Sequence, residues 1–190
     1  MSTLALINGA PGSGKSTLAR LLVDELPLAL LLDIDTLRGQ LGRWSDNPGA
    51  AGMAARRLAL AMIRTHLKAG FDVVVPQFLF RLPFILDLER VACDAGARFV
   101  EIALVSKPEE AAARFVARMG SSDPNHQGAV RLQQAPGAQS IEELYGAMIE
   151  LVRDRPGTVL VSSVPGDIEG TFVALKQAVF EAPPNLLPPG

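Results

Sequence analysis

A glycine-rich segment of eight residues near the N-terminus constrains the fold of this chain more than any other feature. The segment Gly9-Ala-Pro-Gly-Ser-Gly-Lys-Ser16 fits the pattern G-x-x-x-x-G-K-[ST] and lies between an apolar run and a stretch of helical period. In that context the pattern forms a phosphate-binding loop. The alternative is an ordinary glycine turn between a strand and a helix. The predicted nucleotide-binding residues are Gly9, Ala10, Pro11, Gly12, Ser13, Gly14, Lys15, Ser16 and Thr17.

The residue types in this loop suit a nucleoside triphosphate with a magnesium ion. Glycines allow a tight turn whose N–H groups, with the positive end of the helix dipole, hold a polyphosphate. Lys15 can reach the terminal phosphates and take part in catalysis. The Ser16 hydroxyl can bind Mg²⁺, which offsets the repulsion among phosphate oxygens. The sequence therefore predicts ATP and Mg²⁺ as cofactors.

Apolar runs and longer helical segments alternate along the whole chain, which predicts an α/β fold with a buried parallel sheet. The predicted strands are Leu4–Asn8, Leu28–Asp33, Asp72–Pro76, Phe99–Val105 and Thr158–Ser162. The predicted helices are Lys15–Glu25, Gly49–Ala69, Leu82–Ala95, Pro108–Met119, Ile141–Arg153 and Asp167–Phe180.

Composition bounds the classes of protein to which the chain can belong. Hydrophobic residues make up 48% and charged residues 20% of 190 residues, a balance typical of one globular domain. The net charge of -2 gives no general attraction to nucleic acid or to an anionic membrane. The only cysteine, Cys93, lies in an apolar periodic stretch and is expected in the core. With no membrane span or signal peptide, we expect a cytoplasmic protein.

Two carboxylates follow the second predicted strand, at the end where ligands of open α/β sheets bind. Side chains of a β-strand alternate between its two faces, so Asp33 and Asp35 lie on the same side unless the chain turns between them. We assign Asp33 to Mg²⁺ and Asp35 to the base that takes a proton from the acceptor hydroxyl. The alternative for Asp35 is the N-cap of a short helix from Thr36 to Leu41.

The phosphate loop and the segment Leu32-Asp-Ile-Asp-Thr-Leu-Arg38 together resemble the P-loop small-molecule kinases. This group includes adenylylsulfate, shikimate and gluconate kinases, chloramphenicol phosphotransferases, zeta toxins and the kinase domain of polynucleotide kinases. The resemblance implies a three-layer α/β/α P-loop fold with a five-stranded parallel sheet in the order 2-3-1-4-5. It also implies that Asp35 is the base and that Arg38 binds an anionic group of the acceptor. The third strand lacks the Walker B acid, which strengthens the role given to Asp33.

Further candidates for the acceptor pocket come from the same region and from the end of the third strand. Arg38, Arg43 and Trp44 suit an acceptor with a planar or anionic part, although surface arginines and a partly buried Trp are equally compatible. Gln77 and Arg81 are expected to face the same crevice. His66, late in a long helix, is interpreted as structural.

The resemblance also implies a lid and an adenine loop. Arg114 and Arg118 lie four residues apart on one predicted helix face. Arg114 is assigned to nucleotide binding, and Arg118 to catalysis by covering the transferring phosphoryl group. The lid is predicted over residues 114–140, where His126 has no assigned role and a plain surface loop is the alternative. The loop Ser163–Asp167, with Pro165, resembles the support of an adenine ring. The predicted domain spans residues 1–181, followed by a Pro-rich tail over 182–190.

The predicted reaction is transfer of the γ-phosphate of ATP to a hydroxyl of a small-molecule acceptor, such as a natural product or antibiotic, a nucleoside or a sugar-like metabolite. A polynucleotide-like or zeta-toxin-like kinase and a nucleotide-binding protein without transfer activity stay open, as does a homodimer. A regulatory GTPase is disfavoured because the sequence lacks an Asn-Lys-x-Asp guanine motif.

Overall fold

The computed structural model describes residues 1–107, 109–110, 113 and 139–181, and the statements below refer to these residues. Several sequence predictions therefore lie outside the described residues: most of the helix Pro108–Met119, the side chains of Arg114, Arg118 and His126, nearly all of the predicted lid, and the Pro-rich tail. No helix in the described ranges is both long and apolar enough to cross a bilayer.

Strands and helices alternate in chain order. The elements are β1 Thr3–Gly9, α1 Lys15–Asp24, β2 Leu30–Leu31, α2 Ile34–Gly39, a 3₁₀ turn Trp44–Asp46, α3 Pro48–Lys68, β3 Val73–Gln77, α4 Leu82–Asp94, β4 Arg98–Val105, α5 Ile141–Arg153, β5 Val159–Ser162 and α6 Ile168–Glu181.

The strands form one parallel sheet in the order β2-β3-β1-β4-β5. The central strand β1 pairs with β3 from Leu4 opposite Val73 to Asn8 opposite Gln77, and with β4 from Thr3 opposite Arg98 to Gly9 opposite Leu104. The α/β class and the strand order predicted above are confirmed. All carboxyl ends meet at one edge of the sheet, and the glycine-rich loop leaves β1 in the middle of that edge.

Both faces of the sheet are buried, which explains why the strands are apolar at successive positions. Leu4 and Leu6 face α3 and α4, where Ile63 and Leu88 are fully buried. Ala5 and Ile7 face α1 and α6 on the opposite side. A smaller cluster packs α5 against the start of the glycine-rich loop through Tyr145, Met148 and Ala10.

The second strand is shorter than predicted because the predicted residues at its two ends adopt other local structures. Leu28 adopts a left-handed conformation with φ 57° at the start, and its carbonyl lies 2.8 Å from His66 Nε2. At the other end, Asp33 caps α2 instead of continuing the strand. The contact from His66 is consistent with the structural role expected for that residue.

The prediction that Cys93 lies in the core is wrong. Its side chain is exposed, because the buried face of α4 is made by Phe84, Ile85, Leu88, Glu89, Val91 and Ala92. The last turn of the helix therefore directs position 93 away from the sheet. An apolar neighbourhood in sequence did not determine the face on which this cysteine lies.

Candidate active site

The phosphate loop takes its shape from glycines at three positions. Gly12 and Gly14 have φ values of 83° and 87°, a backbone conformation that other residues rarely adopt. At Gly9 the restriction is space, since an added Cβ would lie 2.7 Å from Ser13 Oγ and 3.1 Å from Leu104 Cβ. A Cβ at Gly14 would meet nothing within 4 Å. The loop is thus closely packed at Gly9, whereas the space around Gly14, at the start of α1, is open.

The start of α1 has the properties of an anion site. Gly14 is its N-cap, no side chain of the described residues caps it, and its first turn carries no acidic residue. The first backbone N–H groups of a helix lack partners within the helix, and its dipole favours negative charge there. Lys15 Nζ lies 3.3 Å from Ala10 O, so this ammonium folds back over the loop.

The loop after β5 is attached directly to the phosphate loop. Ser163 Oγ donates a buried hydrogen bond of 3.0 Å to Ser13 O. This contact places the start of the predicted adenine loop beside the phosphate loop, with Pro165 exposed two residues further on. Ser13 Oγ is buried without a hydrogen-bond partner among the described residues.

Asp33 is the N-cap of α2, and the alternative in which Asp35 caps this helix is wrong. The Asp33 Oδ1 atom accepts hydrogen bonds from the backbone N–H of Asp35 at 2.9 Å and of Thr36 at 3.0 Å. The helix therefore begins at Ile34, two residues earlier than predicted. The chain turns between the two carboxylates, so the period of a strand does not relate them.

The pKa of Asp33 is raised above its ordinary value, mainly because burial penalises the charged carboxylate. The two backbone hydrogen bonds and the positive charge of Lys15 act in the opposite direction, whereas the nearby negative charge of Asp35 adds to the increase. Asp33, Asp35 and Lys15 therefore interact electrostatically. A partly buried carboxylate is an oxygen ligand that suits Mg²⁺, and a bound cation would offset the cost of burying the charge.

Asp35 is held by side chains from two elements. Its Oδ1 atom lies 3.1 Å from Arg38 Nη1, one turn further along α2, and its Oδ2 atom accepts a hydrogen bond of 3.2 Å from Gln77 Nε2 at the end of β3. The Asp35 side chain is 39% exposed, whereas that of Arg38 is only 13% exposed. Contacts to both carboxylate oxygens therefore fix the orientation of Asp35, while part of its side chain stays exposed.

Arg38 and Trp44 form one unit, and Arg43 is not part of it. The Arg38 guanidinium carbon lies 5.0 Å from the centre of the Trp44 ring, within cation–π range. Arg43 is 88% exposed and pairs with Asp46. The Arg38 charge is already compensated by Asp35, and its Nε is buried without a partner in the described part of the chain. This geometry favours a role in orienting Asp35 over the predicted role in binding an anionic acceptor.

Arg81 stands at the start of α4 and is exposed. Its guanidinium carbon lies 5.5 Å from the Phe80 ring, and Phe80 in turn lies 5.6 Å from Phe78, measured between ring centres. The segment after β3 therefore combines an aromatic pair with a guanidinium group. No contact joins Arg81 to Asp35 or Arg38 among the described residues, and its place in an acceptor pocket stays a prediction.

Sequence reasoning overlooked Asn8. This residue is fully buried at the end of β1, and its side chain bonds to Gly9 N, Leu79 N and Leu79 O. The signal was present, because a lone polar residue ends an apolar strand directly before the phosphate loop. A buried amide must find partners, and those partners are backbone groups that a sequence does not reveal.

A parallel sheet in this order, with a glycine-rich loop after its central strand, is a P-loop kinase-like fold. A family model described as an AAA domain matches residues 4–137, well over half of the chain. The chain therefore belongs to this AAA domain family, and its resemblance to P-loop kinases is confirmed. No curated protein sequence matches the chain.

Solved structures of similar fold cover nearly the whole chain at low sequence identity. A candidate kinase from Chloroflexus aurantiacus J-10-fl has 19% identity and a TM-score of 0.63, covering 96% of this chain and 98% of its own. A gluconokinase from Sinorhizobium meliloti 1021 has 19% identity and a TM-score of 0.56, covering 93% of each chain. The tunicamycin resistance protein of Deinococcus radiodurans has 16% identity and a TM-score of 0.59, covering 100% of each chain. By contrast, the chain spans 46% of the length of the matching chain in a Pnkp1/Rnl/Hen1 RNA repair complex.

Proposed function

We propose that this protein is an ATP-dependent kinase that transfers the γ-phosphate of ATP to a hydroxyl group of a small-molecule acceptor. The observation that carries the proposal is the position of two carboxylates at the sheet edge that bears the phosphate loop. Asp33 interacts with Lys15 of that loop, and Asp35 is oriented by Arg38 and Gln77. Phosphoryl transfer needs little more from a protein than positioning and compensation of charge.

The donor side would hold MgATP. The backbone N–H groups at the start of α1 and the Lys15 ammonium would bind the phosphates, and Ser16 with Asp33 would hold Mg²⁺. When bound, Mg²⁺ neutralises charge on the phosphate oxygens. The adenine ring would rest against the loop that follows Ser163, whose hydroxyl ties that loop to Ser13.

The acceptor side would be served by Asp35. The acceptor oxygen forms a bond to the γ-phosphorus, the bond to the bridging oxygen breaks to leave ADP, and the hydroxyl proton passes to the Asp35 carboxylate. Arg38 and Gln77 hold the two carboxylate oxygens, which leaves the exposed side of Asp35 to receive the hydroxyl. Trp44, Gln77 and Arg81 remain the proposed acceptor-pocket residues, and Arg114 and Arg118 of a lid over residues 114–140 remain predictions of the sequence, as does a single domain over 1–181.

The acceptor class is best approached with a panel. Similar folds occur in a gluconokinase and in a tunicamycin resistance protein, so a sugar acid and a nucleoside antibiotic head the panel. Further nucleosides, sugars, aminoglycosides and phenicols extend it. An oligonucleotide with a free 5′-hydroxyl tests the polynucleotide-kinase alternative, and a reaction without acceptor tests a hydrolase.

The experiment measures ADP release and labelled product from [γ-³²P]ATP with each acceptor. We expect label in one small-molecule product, absent in Lys15→Ala because the loop loses its phosphate-binding cation. Lys68→Ala, at the end of α3, changes the same residue type away from the site and should behave like the native chain. Calorimetric binding of MgATP that is unchanged in Lys15→Ala would refute the donor site, and label only on the oligonucleotide would refute the small-molecule class.

A further inference from the structure

The side chain of Asn8 connects the phosphate loop to the segment that follows β3. Its Oδ1 atom accepts hydrogen bonds of 2.9 Å from the backbone N–H of both Gly9 and Leu79, and its Nδ2 atom donates a bond of 2.8 Å to Leu79 O. The side-chain amide thereby imitates a peptide group and extends the pairing of β1 with β3 by two residues past Gln77. Asn8 is fully buried, so water cannot replace these bonds without a structural change.

The two partners of Asn8 belong to opposite sides of the proposed active site. Gly9 is the first residue of the phosphate loop, and it is packed so closely that an added Cβ would lie 2.7 Å from Ser13 Oγ and 3.1 Å from Leu104 Cβ. Leu79 follows Gln77 by two residues, and Gln77 donates to the Asp35 carboxylate. Two sets of hydrogen bonds, joined by the backbone of residues 77–79, therefore connect the donor loop to the proposed base.

We propose that Asn8 is a positioning residue that fixes the phosphate loop against the Gln77–Asp35 pair and makes the acceptor side respond when the loop binds a nucleotide. This inference rests on the proposed kinase function, because it takes Asp35 to be the base that accepts the proton of the acceptor hydroxyl. Rigid links of this kind set the distance between reacting groups, and small displacements there are costly for transfer. Coupling between two binding sites typically changes affinity by about 5- to 150-fold.

The chain contains its own reporter of the acceptor side. Trp44 is the only tryptophan, and it stacks on Arg38, which pairs with Asp35. Its emission therefore senses rearrangement of the Asp35–Arg38 pair, whereas calorimetry measures MgATP binding at the phosphate loop independently. The two measurements separate loss of binding from loss of communication.

The experiment titrates MgATP into the native chain, into Asn8→Ala and into a matched control, Ser2→Ala. Ser2 Oγ makes a buried hydrogen bond of 3.2 Å to Leu67 O at the opposite end of β1, so its removal weakens the same strand away from the site. We expect the Trp44 emission of the native chain and of Ser2→Ala to change with the calorimetric binding curve. In Asn8→Ala, MgATP should still bind, weakened by no more than about tenfold, because only the bond to Gly9 N among the three lost hydrogen bonds belongs to the phosphate loop. Most of the emission change should be lost.

Retention of the full emission change in Asn8→Ala overturns the inference, and so does native binding of MgATP without any change in emission. Absence of calorimetric binding to the native chain overturns the proposed function itself and the inference with it. If Asn8→Ala does not fold, the native chain alone decides the matter by hydrogen exchange. Exchange at the Leu79 amide should slow by at least fivefold with saturating MgATP, and an unchanged rate overturns the inference.

Discussion

Gln77 Nε2 lies 3.2 Å from Asp35 Oδ2, so the end of β3 supports a carboxylate presented by the first turn of α2. The two residues are 42 positions apart in sequence. Their contact means that the segments at the ends of two adjacent strands, β2 and β3, position the same carboxylate. Arg38 completes the arrangement from within α2. The orientation of the proposed base thus depends on the parallel pairing of β2 with β3.

Asp35→Asn should lose phosphoryl transfer by about 10² to 10⁴ while keeping most of its affinity for MgATP, because an amide cannot take the acceptor proton. Rates with an acceptor found in the panel and calorimetric titration with MgATP measure the two effects separately. Asp46→Asn is the matched control, since Asp46 also pairs with an arginine three residues away but lies on the surface. Transfer at the native rate in Asp35→Asn would remove this residue from the role of base.

Asp33→Asn should leave the ligand-free protein equally stable or more stable at pH 7. Asparagine keeps an oxygen that can cap α2, and it removes a carboxylate whose charge is penalised by burial. Because the folded pKa of Asp33 is raised, ionised Asp33 destabilises the native chain at neutral pH. That penalty disappears as the pH falls through the folded pKa toward the unfolded value of about 3.9.

Thermal unfolding of both chains between pH 4 and pH 8 tests this expectation. The advantage of Asp33→Asn should shrink as the pH falls, and Asp24→Asn, at an exposed position at the end of α1, is the control for loss of an aspartate. The Mg²⁺ dependence of ATP binding should weaken in Asp33→Asn alone. An Asp33→Asn variant with native Mg²⁺ dependence would contradict the assignment of this residue to the metal.

Gly9→Ala should weaken MgATP binding by at least about tenfold, since the added methyl group would overlap Ser13 Oγ at 2.7 Å and displace the loop. The double variant Gly9→Ala/Ser13→Ala removes the nearest atom and should recover part of the affinity. Gly52→Ala, in α3 with open space around its Cβ position, controls for the loss of a glycine. Equal affinities in the single and double variants would show that the overlap is not the cause.

A buried ion triplet outside the site gives a prediction about stability. Arg155 bonds to Glu101 at 2.7 Å and to Glu89 at 3.3 Å, and it joins the chain after α5 to β4 and α4. Burial raises the pKa of Glu101, an effect that Arg155 opposes. Arg155→Met should lower the free energy of unfolding by about 3 to 5 kcal/mol, because it leaves two buried carboxylates without a cation.

Chemical denaturation measures this loss. The triple variant Arg155→Met/Glu101→Leu/Glu89→Leu should regain much of it, since replacement of a whole buried ion group by apolar residues is often neutral or stabilising. Arg153→Met, in the exposed last turn of α5, is the control for loss of an arginine. If Arg155→Met were as stable as the control, the triplet would contribute nothing to the fold.

The sequence was sufficient for the α/β class, the parallel sheet and the position of the glycine-rich loop, because these depend on apolar runs and on glycines at fixed spacing. The strand order came from the resemblance to P-loop kinases. It was not sufficient for Cys93, whose face on α4 is set by packing, or for the helix cap, where Asp33 and Asp35 offer the same chemistry two residues apart. It also missed Asn8 and the triplet around Arg155, whose partners are distant in sequence. Local patterns predict local geometry, whereas buried polar contacts depend on the assembled tertiary structure.

The bond between Ser163 and Ser13 joins positions 150 residues apart, and β1 lies between strands that are synthesised later. During translation, β1 must wait for residues 73–77 and 98–105 before either of its edges is paired. The phosphate loop must wait longer still for the support from Ser163. The glycine-rich loop precedes four of the five strands of the sheet and is therefore among the last parts of the fold to mature. A ribosome-bound fragment that ends before β5 should not yet have the native loop.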